Sequence, residues 1–342
     1  MNPLTEKHAA PPLAASAHSH EGAVRAQLAD RRARLAEVIP QAKDQVRLAL
    51  LLREIDAALE RIDGGTFGIC EVCKEAIEPD HLASDPLVRI CLSHLSSEEQ
   101  RAIERDLELA SSIQSRFLPK KHFVHDGWEI TRHYEPAGSV SGDYCDAILD
   151  DDSGVAYFLV GDVSGKGVAA SLLMSQLHAI FRTLVGTNAA PNDLFSRANR
   201  LLNESAHTSH FATLVCAKAD PAGNVRLINA GHCPPLLLRA GRVEEQESTG
   251  LPLGLFYSAQ YGCTSLTLAR GELLLFYTDG LNETRNSQDE EYGVARLKSL
   301  LLRGGNLPGE ELLESILKDL ASFRGDAPRT DDLTLMLIRR RG

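Results

Sequence analysis

The chain has 342 residues, 43% of them hydrophobic, and a formal net charge of −11. This length predicts two domains, and the acidity disfavours direct binding of nucleic acid or of an anionic membrane surface. No stretch approaches 18 uninterrupted apolar residues, and the N-terminus lacks a basic segment followed by an apolar one. We therefore expect no membrane span and no signal peptide, and we predict a cytoplasmic protein.

The N-terminal part of the sequence is typical of a tail followed by paired helices. We expect residues 1–21 to form a disordered tail. Apolar residues then recur at 4-and-3 spacing on both sides of Pro40, from Val24 to Val38 and from Leu48 to Ile62. This spacing is the narrow apolar seam of a coiled coil, and a proline breaks a helix. The pattern predicts an antiparallel helical hairpin that ends at Gly64.

Four candidate ligands for a soft metal follow the second helix. Cys70 and Cys73 are separated by two residues, and Cys91 and His94 repeat that spacing. Thiolate and imidazole groups at this spacing are typical of a tetrahedral zinc site. All four positions are filled by side chains, so we predict structural rather than catalytic Zn²⁺. The seven cysteines of a chain without a secretory signal do not predict a disulfide framework.

The segment around these ligands resembles the zinc-finger region of the DksA/TraR family. The matching stretch reads LLREIDAALERIDGGTFGICEVCKEAIEPDHLASDPLVRICLSH, and the resemblance covers residues 22–97. It implies a helical hairpin plus a zinc finger, with His94 where the family usually has a fourth cysteine. Members of the family insert an acidic coiled-coil tip into RNA polymerase, but the turn LAEVIPQAKDQ does not match that tip. A non-catalytic transcription regulator that binds RNA polymerase is our alternative hypothesis.

A third helical stretch covers residues 98–120. Apolar residues from Ile103 to Phe117 form one face, glutamates occupy the first turn, and Pro119 marks the end. We interpret this stretch as a linker helix. It either packs on its neighbours or is a dimerising or signal-transmitting helix between two domains, and in the dimerising case it would join two copies of the chain into a homodimer.

The pattern changes in residues 121–342, where short β-rich runs are separated by turn residues. Two helical blocks interrupt the runs in the middle, and two more precede the last run, DLTLMLI. Strands in hairpin-like succession with helices in pairs predict an α+β layered domain.

Four aspartates stand where these runs begin or end, and we take them as the candidate catalytic centre: Asp143, Asp162, Asp279 and Asp331. Each one alone is a common turn residue. Together they offer the oxygen ligands that a hard divalent cation prefers, and the carbonyl of Val163 is a further oxygen. Two such ions can bind a phosphate and activate a water molecule. The four segments therefore predict a site for divalent cations.

The wording and order of these segments resemble the PPM-type (PP2C-like) protein phosphatases, and most of all their SpoIIE/RsbU-type branch. The matching strings are SGDYCD, GDVSGKGVAA, FATL, NAGHCPP, GLPLG, YTDGLNE and DDLTL. The resemblance covers residues 105–340. It implies a PP2C-like layered β-sandwich flanked by helices in the domain 121–342.

The same resemblance implies a ligand set for two Mn²⁺ or Mg²⁺ ions, namely Asp143, Asp162, Val163 through its carbonyl, Asp279 and Asp331. Asp162 would bridge both ions, and Asp332 would lie outside the ligands. A metal-activated water would then attack phosphoserine or phosphothreonine of a phosphorylated protein, without a phosphoenzyme. The branch implies that this substrate is an anti-sigma-factor antagonist.

Several residues near these motifs depart from the family or need a separate interpretation. Ser141 replaces a common glycine and is expected to constrain its turn. Lys166 replaces a common histidine; we expect it in solvent, with a phosphate contact as the alternative. His232 is expected to be structural, and Cys145 and Cys233 to be small buried hydrophobic residues.

Overall fold

The computed structural model describes residues 14–38, 45–94, 97–187, 189–205 and 210–341. The chain divides into two compact units between Ile103 and Glu104.

The N-terminal unit is built from helices and short turns. Helix α1 spans Ala14–Val38, α2 spans Gln45–Asp63, α3 spans Pro79–Ser84 and α4 begins at Ser97 and ends at Ser115. Helix α1 begins inside the segment expected to be a tail, while the break expected at Pro40 lies outside the described residues. The boundary between the two units falls inside α4.

Helices α1 and α2 contact each other through the apolar residues that recur in the sequence. Leu28 of α1 is buried with Ile55 and Ala58 of α2. Arg25 Nε donates to Asp63 Oδ1 at 2.8 Å, and a second ion pair joins the two helices further along, Arg32 to Asp56. Arg25 precedes Arg32 along α1, whereas its partner Asp63 follows Asp56 along α2, so the two helices are antiparallel.

The C-terminal unit contains two antiparallel sheets. Its strands, in chain order, are β1 His122–His125, β2 Trp128–Glu135, β3 Tyr144–Leu149, β4 Ala156–Val163, β5 Ala212–Ala219, β6 Asn224–Ala230, β7 Leu236–Arg239, β8 Arg242–Glu245, β9 Thr264–Thr267, β10 Leu273–Tyr277 and β11 Leu333–Arg340. One sheet has the order β1-β2-β11-β10-β7-β8, and the other has the order β3-β4-β5-β6-β9.

Helices cover the outer faces of the two sheets. They are α5 Gly167–Val185, α6 Pro191–Ser205, the short α7 Asp279–Asn282, α8 Val294–Gly304 and α9 Gly309–Arg324. One apolar core lies between the sheets, a second joins the β3-to-β9 sheet to α5 and α6, and a third joins the other sheet to α8 and α9. The α+β prediction of a layered sandwich flanked by helices is therefore confirmed.

The alternation of side chains along a strand explains these layers. On β4, Phe158 faces the core between the sheets, whereas Leu159 packs beneath α5 and α6. On β10, Leu274 faces the same central core and Leu275 packs against α8 and α9. Successive side chains of a strand point to opposite faces. Strands with both faces covered must therefore be largely apolar, as β10 is throughout and β4 is from Ala156 to Val160.

Three strands were absent from the sequence prediction: β1, β3 and β8. Strands β1 and β8 are short and polar, with the sequences HFVH and RVEE. Strand β3 begins inside the motif SGDYCD and carries Asp146 at its centre. Asp146 interrupts the apolar run that would indicate a strand.

Helix α5 has the length and apolar composition of a membrane-spanning helix, the one such case among the described helices. Its buried residues include Met174, Leu177 and Phe181, which belong to the core beneath the β3-to-β9 sheet. Packing in this core accounts for its apolar composition.

An ion pair between a buried carboxylate and the partly exposed Arg182 fastens α5 to β3. Asp146 is fully buried, and Arg182 donates to both of its carboxylate oxygens, from Nε at 2.9 Å and from Nη2 at 2.6 Å. The hydroxyl of Tyr144 and the backbone N–H of Ala147 also donate to Asp146. A charge removed from water is costly unless it is paired and hydrogen-bonded. The side chain of Arg182 is thus required by the position of Asp146.

We expect Arg182→Ala to lower the free energy of unfolding by about 3 kcal/mol, because it leaves a buried carboxylate without its cation. Denaturation followed by the fluorescence of the single tryptophan, the buried Trp128, measures this change. Arg200→Ala, on the exposed face of α6, is the matched control and should stay within about 0.5 kcal/mol of the parent. Equal losses in both variants would contradict the prediction.

Candidate active site

The four aspartates lie at strand ends, as their sequence positions suggested. Asp143 directly precedes β3, Asp162 lies near the end of β4, Asp279 begins α7 after β10, and Asp331 shortly precedes β11. Strand β3 pairs with β4 in one sheet, and β10 pairs with β11 in the other. Each antiparallel pair thus brings two of the aspartates to the same end, one pair from each sheet.

Strand register places Asp143 beside Asp162. Tyr144 pairs with Gly161, so the preceding residue Asp143 stands opposite Asp162. A side-chain carbon on Gly142 would lie 3.2 Å from the Val163 carbonyl oxygen and 3.5 Å from Asp162 Oδ1. Both oxygens therefore face the same small space beside Gly142. This is the carbonyl and carboxylate combination that the sequence predicted.

Asp143 is the most enclosed of the four. The hydroxyl of Thr278 donates to its Oδ2 at 3.0 Å, and the hydroxyl of Thr334 donates to the same oxygen. Burial raises the pKa of Asp143 well above its usual value, and the neighbouring charge of Asp162 raises it further. Asp143 directly precedes β3 of one sheet, whereas Thr334 lies in β11 and Thr278 directly follows β10 of the other, so these hydrogen bonds join the sheets.

The remaining three carboxylates act on one another electrostatically. Burial raises the pKa of Asp162 to about 7, with repulsion from Asp279 and Asp331 as the next causes. Burial also raises the pKa of Asp279, and Asp331 is again the next cause. A positive charge nearby would instead lower the pKa of these carboxylates. The group is therefore rich in oxygen donors and short of positive charge.

This donor set fits a pair of hard divalent cations. Carboxylate and carbonyl oxygens are the ligands that Mg²⁺ and similar ions prefer, with water completing the shell. Among the described residues, the carboxylate oxygens of these aspartates are not gathered as closely as the ligand atoms of the cysteine and histidine cluster in the N-terminal unit.

Asp332 holds the loop before β3, and its charge also raises the pKa of Asp143 and of Asp162. It accepts hydrogen bonds from the backbone N–H groups of Ala137 at 2.7 Å and Gly142 at 3.0 Å. The hydroxyl of Ser141 donates to Asp332 at 2.7 Å and accepts from the N–H of Asp143 at 3.0 Å. Ser141 thus constrains its turn, as expected, by tying Asp143 to the segment before β11.

Sequence reasoning missed three side chains that support the site. Thr278 and Thr334 lie inside the strings YTDG and DDLT, so their proximity to the aspartates was the available signal. Gln114 of α4 donates to the carbonyl of Ser141 at 2.8 Å and accepts from its N–H at 3.1 Å. Its place in the string SIQSRF gave no chemical signal, because glutamine is common on helix surfaces.

Lys166 is not simply in solvent, which corrects our expectation. Its ammonium group donates to the carbonyl of Thr330 at 2.6 Å and to Asp331 Oδ2 at 3.0 Å. The side chain is 59% exposed, so the contact lies at the surface of the site.

His232 is structural, as expected. Its Nδ1 lies 2.8 Å from the hydroxyl of Thr213, and its backbone N–H donates to Asn229 Oδ1. Burial lowers its pKa to about 4, so the ring is neutral at ordinary pH. Cys145 is buried as expected, and burial raises the pKa of its thiol to about 12. Cys233 is half-buried, with its thiol pKa raised mainly by burial.

A small polar cavity opens beside the aspartates. It measures about 160 Å³ and is lined by Asp279, Gly280, Glu283, Thr284, Arg285, Thr330 and Asp331. A water molecule occupies about 30 Å³ in the liquid, so the cavity has room for a few waters or for one phosphoryl group.

The cysteine and histidine ligands form a second cluster, in the N-terminal unit. The ligand atoms of Cys70, Cys73, Cys91 and His94 all lie within 4.8 Å of one another. His94 Nδ1 is 3.0 Å from Cys91 Sγ, and Cys70 Sγ accepts a hydrogen bond from the N–H of Cys91. Three thiols and one imidazole at these separations match the donor set of tetrahedral Zn²⁺.

The fold of the C-terminal unit is found in known phosphatase domains. The SiaA-PP2C domain of Pseudomonas aeruginosa matches 71% of this chain and 99% of that domain, with a TM-score of 0.62 and 20% sequence identity. The two sheets and their flanking helices therefore define a PP2C-type fold, as the sequence predicted. Residues 152–341, more than half of the chain, match the family described as Stage II sporulation protein E (SpoIIE). The chain belongs to the SpoIIE family.

Curated relatives extend the similarity upstream of the matched family segment. Protein IcfG of Synechocystis sp. is 30% identical over 277 residues, which are 72% of this chain but 43% of IcfG. Phosphoserine phosphatase RsbU of Bacillus subtilis is 26% identical over 248 residues, covering 71% of this chain and 72% of RsbU. The chain thus spans less than half the length of IcfG and most of RsbU.

The close approach of Gly280 to the segment before β11 is open to a direct test. A side-chain carbon on Gly280 would lie 1.9 Å from the carbonyl oxygen of Asp332. We expect Gly280→Ala to lower the free energy of unfolding by about 2 kcal/mol, because backbone must move to relieve the overlap. Gly186→Ala, where the nearest atom would be 3.5 Å away, is the control. Denaturation curves that coincide for the two variants would refute this packing.

Proposed function

We propose that residues 104–341 form a metal-dependent protein serine/threonine phosphatase. One observation carries the proposal: in a member of the SpoIIE family, strand pairs from two sheets bring Asp143, Asp162, Asp279 and Asp331 to one end of the sandwich. Burial raises the pKa of Asp162, repulsion from Asp279 and Asp331 raises it further, and a bound cation would offset both effects.

We assign the four aspartates and the Val163 carbonyl as the ligands of two Mn²⁺ or Mg²⁺ ions, with Asp162 shared between them. When bound, such ions polarise a phosphoryl group and activate a water molecule. The protein supplies the arrangement of its ligands. Thr278 and Thr334 orient Asp143, while Asp332 fixes the loop that presents Gly142.

The substrate is proposed to be a phosphorylated protein. The name of RsbU describes a phosphoserine phosphatase, which favours phosphoserine here. The small cavity beside the aspartates accommodates a phosphoryl group on a protein side chain better than a larger metabolite. The family resemblance favours an anti-sigma-factor antagonist in a signalling pathway as the substrate. A cytoplasmic location of the protein also stays a prediction.

Asp162→Ala should reduce Mn²⁺-dependent hydrolysis of a phosphoserine peptide by at least about 100-fold, since loss of even a supporting residue at a metal site often costs 10- to 100-fold. Steady-state release of phosphate measures the rate. Asp152→Ala, in the exposed turn between β3 and β4, removes the same charge elsewhere and should leave the rate unchanged. The phosphatase proposal fails if the Asp162 variant is as active as the parent.

We propose further that the N-terminal unit is a DksA/TraR-like module with structural Zn²⁺ on Cys70, Cys73, Cys91 and His94. The compact arrangement of these ligand atoms supports the site, and the short spacing of Cys70 from Cys73 lets both thiolates reach one ion. We keep two further predictions for this part of the chain. One is that this unit binds RNA polymerase, and the other is that the 98–120 helix forms a homodimer.

Metal analysis of the purified full chain tests the zinc proposal. We expect one zinc per chain by mass spectrometry of the metal content, and its loss in Cys91→Ser because three remaining ligands hold the ion weakly. Cys263→Ser, a half-buried cysteine outside the cluster, should retain the metal. A parent chain free of zinc after purification and zinc addition would exclude the site.

A further inference from the structure

Lys166 occupies the edge of the candidate active site. It lies in the loop between β4 and α5, and its ammonium group donates to the Thr330 carbonyl and to Asp331 Oδ2. Both partners line the small cavity beside the aspartates. The side chain is 59% exposed, so the contact faces solvent at the cavity rim.

The contact is of a kind that can be exchanged. An ion pair between exposed side chains is weak, and a lysine ammonium on its four-carbon stem changes partner without a change of backbone. The flanking glycines, Gly165 at φ +95° and Gly167 at φ +74°, adopt the left-handed conformation that glycine tolerates best. The loop therefore fixes the backbone position of Lys166, while its ammonium group stays accessible to solvent.

Lys166 is also the cation that directly contacts the acidic group. Among the described residues, no other lysine or arginine forms an ion pair with Asp143, Asp162, Asp279 or Asp331. Arg285 lines the same cavity, but it pairs with Asp289 and Glu291. Asp331 has both carboxylate oxygens engaged, Oδ2 by Lys166 and Oδ1 by the backbone N–H of Asp332.

A divalent cation on Asp331 must therefore compete with the ammonium group, because both seek the same carboxylate and repel each other. A displaced ammonium group remains at the rim of the cavity, which Asp279 and Glu283 also line, and there it can donate to a phosphoryl group held beside the aspartates. An ammonium carries three donors and binds phosphate as a point charge.

We propose that Lys166 neutralises Asp331 before divalent ions bind and afterwards binds the phosphoryl group of the substrate. This inference rests on the proposed phosphatase function and names a substrate-binding residue for it. Lys166 then couples the binding of metal to the binding of phosphate: a metal ion on Asp331 displaces the ammonium group of Lys166, which is then available to bind phosphate.

Calorimetric titration of the full chain with Mn²⁺ tests the first half. Lys166→Met keeps the length of the side chain but removes its charge, and should bind Mn²⁺ about fivefold tighter, as loss of a competing exposed ion pair predicts. Lys318→Met removes another exposed lysine, which lies on α9 and is paired with Glu314, and this variant should bind Mn²⁺ as the parent does. Equal or weaker affinity in Lys166→Met overturns the competition.

Titration of the Mn²⁺-loaded chain with inorganic phosphate tests the second half. Lys166→Met should bind phosphate about tenfold more weakly, as loss of a charged hydrogen bond predicts, whereas Lys166→Arg should stay close to the parent. With a phosphoserine peptide, KM should rise by a similar factor while kcat changes little. Unaltered phosphate affinity in Lys166→Met overturns the proposal.

These titrations separate this inference from the function on which it rests. A parent that binds Mn²⁺ and phosphate with the expected dependence on Lys166, yet hydrolyses no phosphopeptide, supports the role of Lys166 and contradicts the phosphatase proposal. A parent that binds no Mn²⁺ overturns both.

Discussion

The enclosure of several carboxylates at one end of two stacked sheets is the constraint on which this structure depends. Burial raises the pKa of Asp143 and of Asp162, and repulsion between neighbouring carboxylates raises both further, so holding these charges together costs free energy. Such a group forms only where a large apolar core offsets the repulsion. The cores between the sheets and beneath the helices supply that stabilisation.

Short hydrogen-bonded links then convert the fold into a defined site. Thr278 and Thr334 from one sheet reach Asp143 at the edge of the other, and Ser141 joins Asp143 to Asp332. Each link is modest, about 1 kcal/mol for a typical hydrogen bond. Together they fix the aspartates from both sides, so the positions of the ligands depend on the packing of the sheets against each other.

The chain uses two different solutions for its charged residues. Asp146, buried near the centre of β3, has a bidentate partner in Arg182 and serves to hold α5 in place. Asp331, at the surface of the site, has only the exposed and exchangeable Lys166. A buried charge must keep its partner, whereas an exposed one can change it. This difference separates Asp146, which is structural, from Asp331, which is suited to bind ions.

The sequence by itself determined the apolar strands, the four amphipathic helices of the C-terminal unit and the identity of the four aspartates. These features are local, because apolar periodicity and turn residues are read within a few positions. It missed β3, whose central Asp146 interrupts the apolar pattern, and it placed Lys166 in solvent. Arg182 is the partner of Asp146, and Asp331 is the partner of Lys166; each partner is distant in sequence from the residue that it contacts. Only the tertiary structure decided which distant side chains meet, because strand register and sheet packing, rather than local pattern, set those contacts.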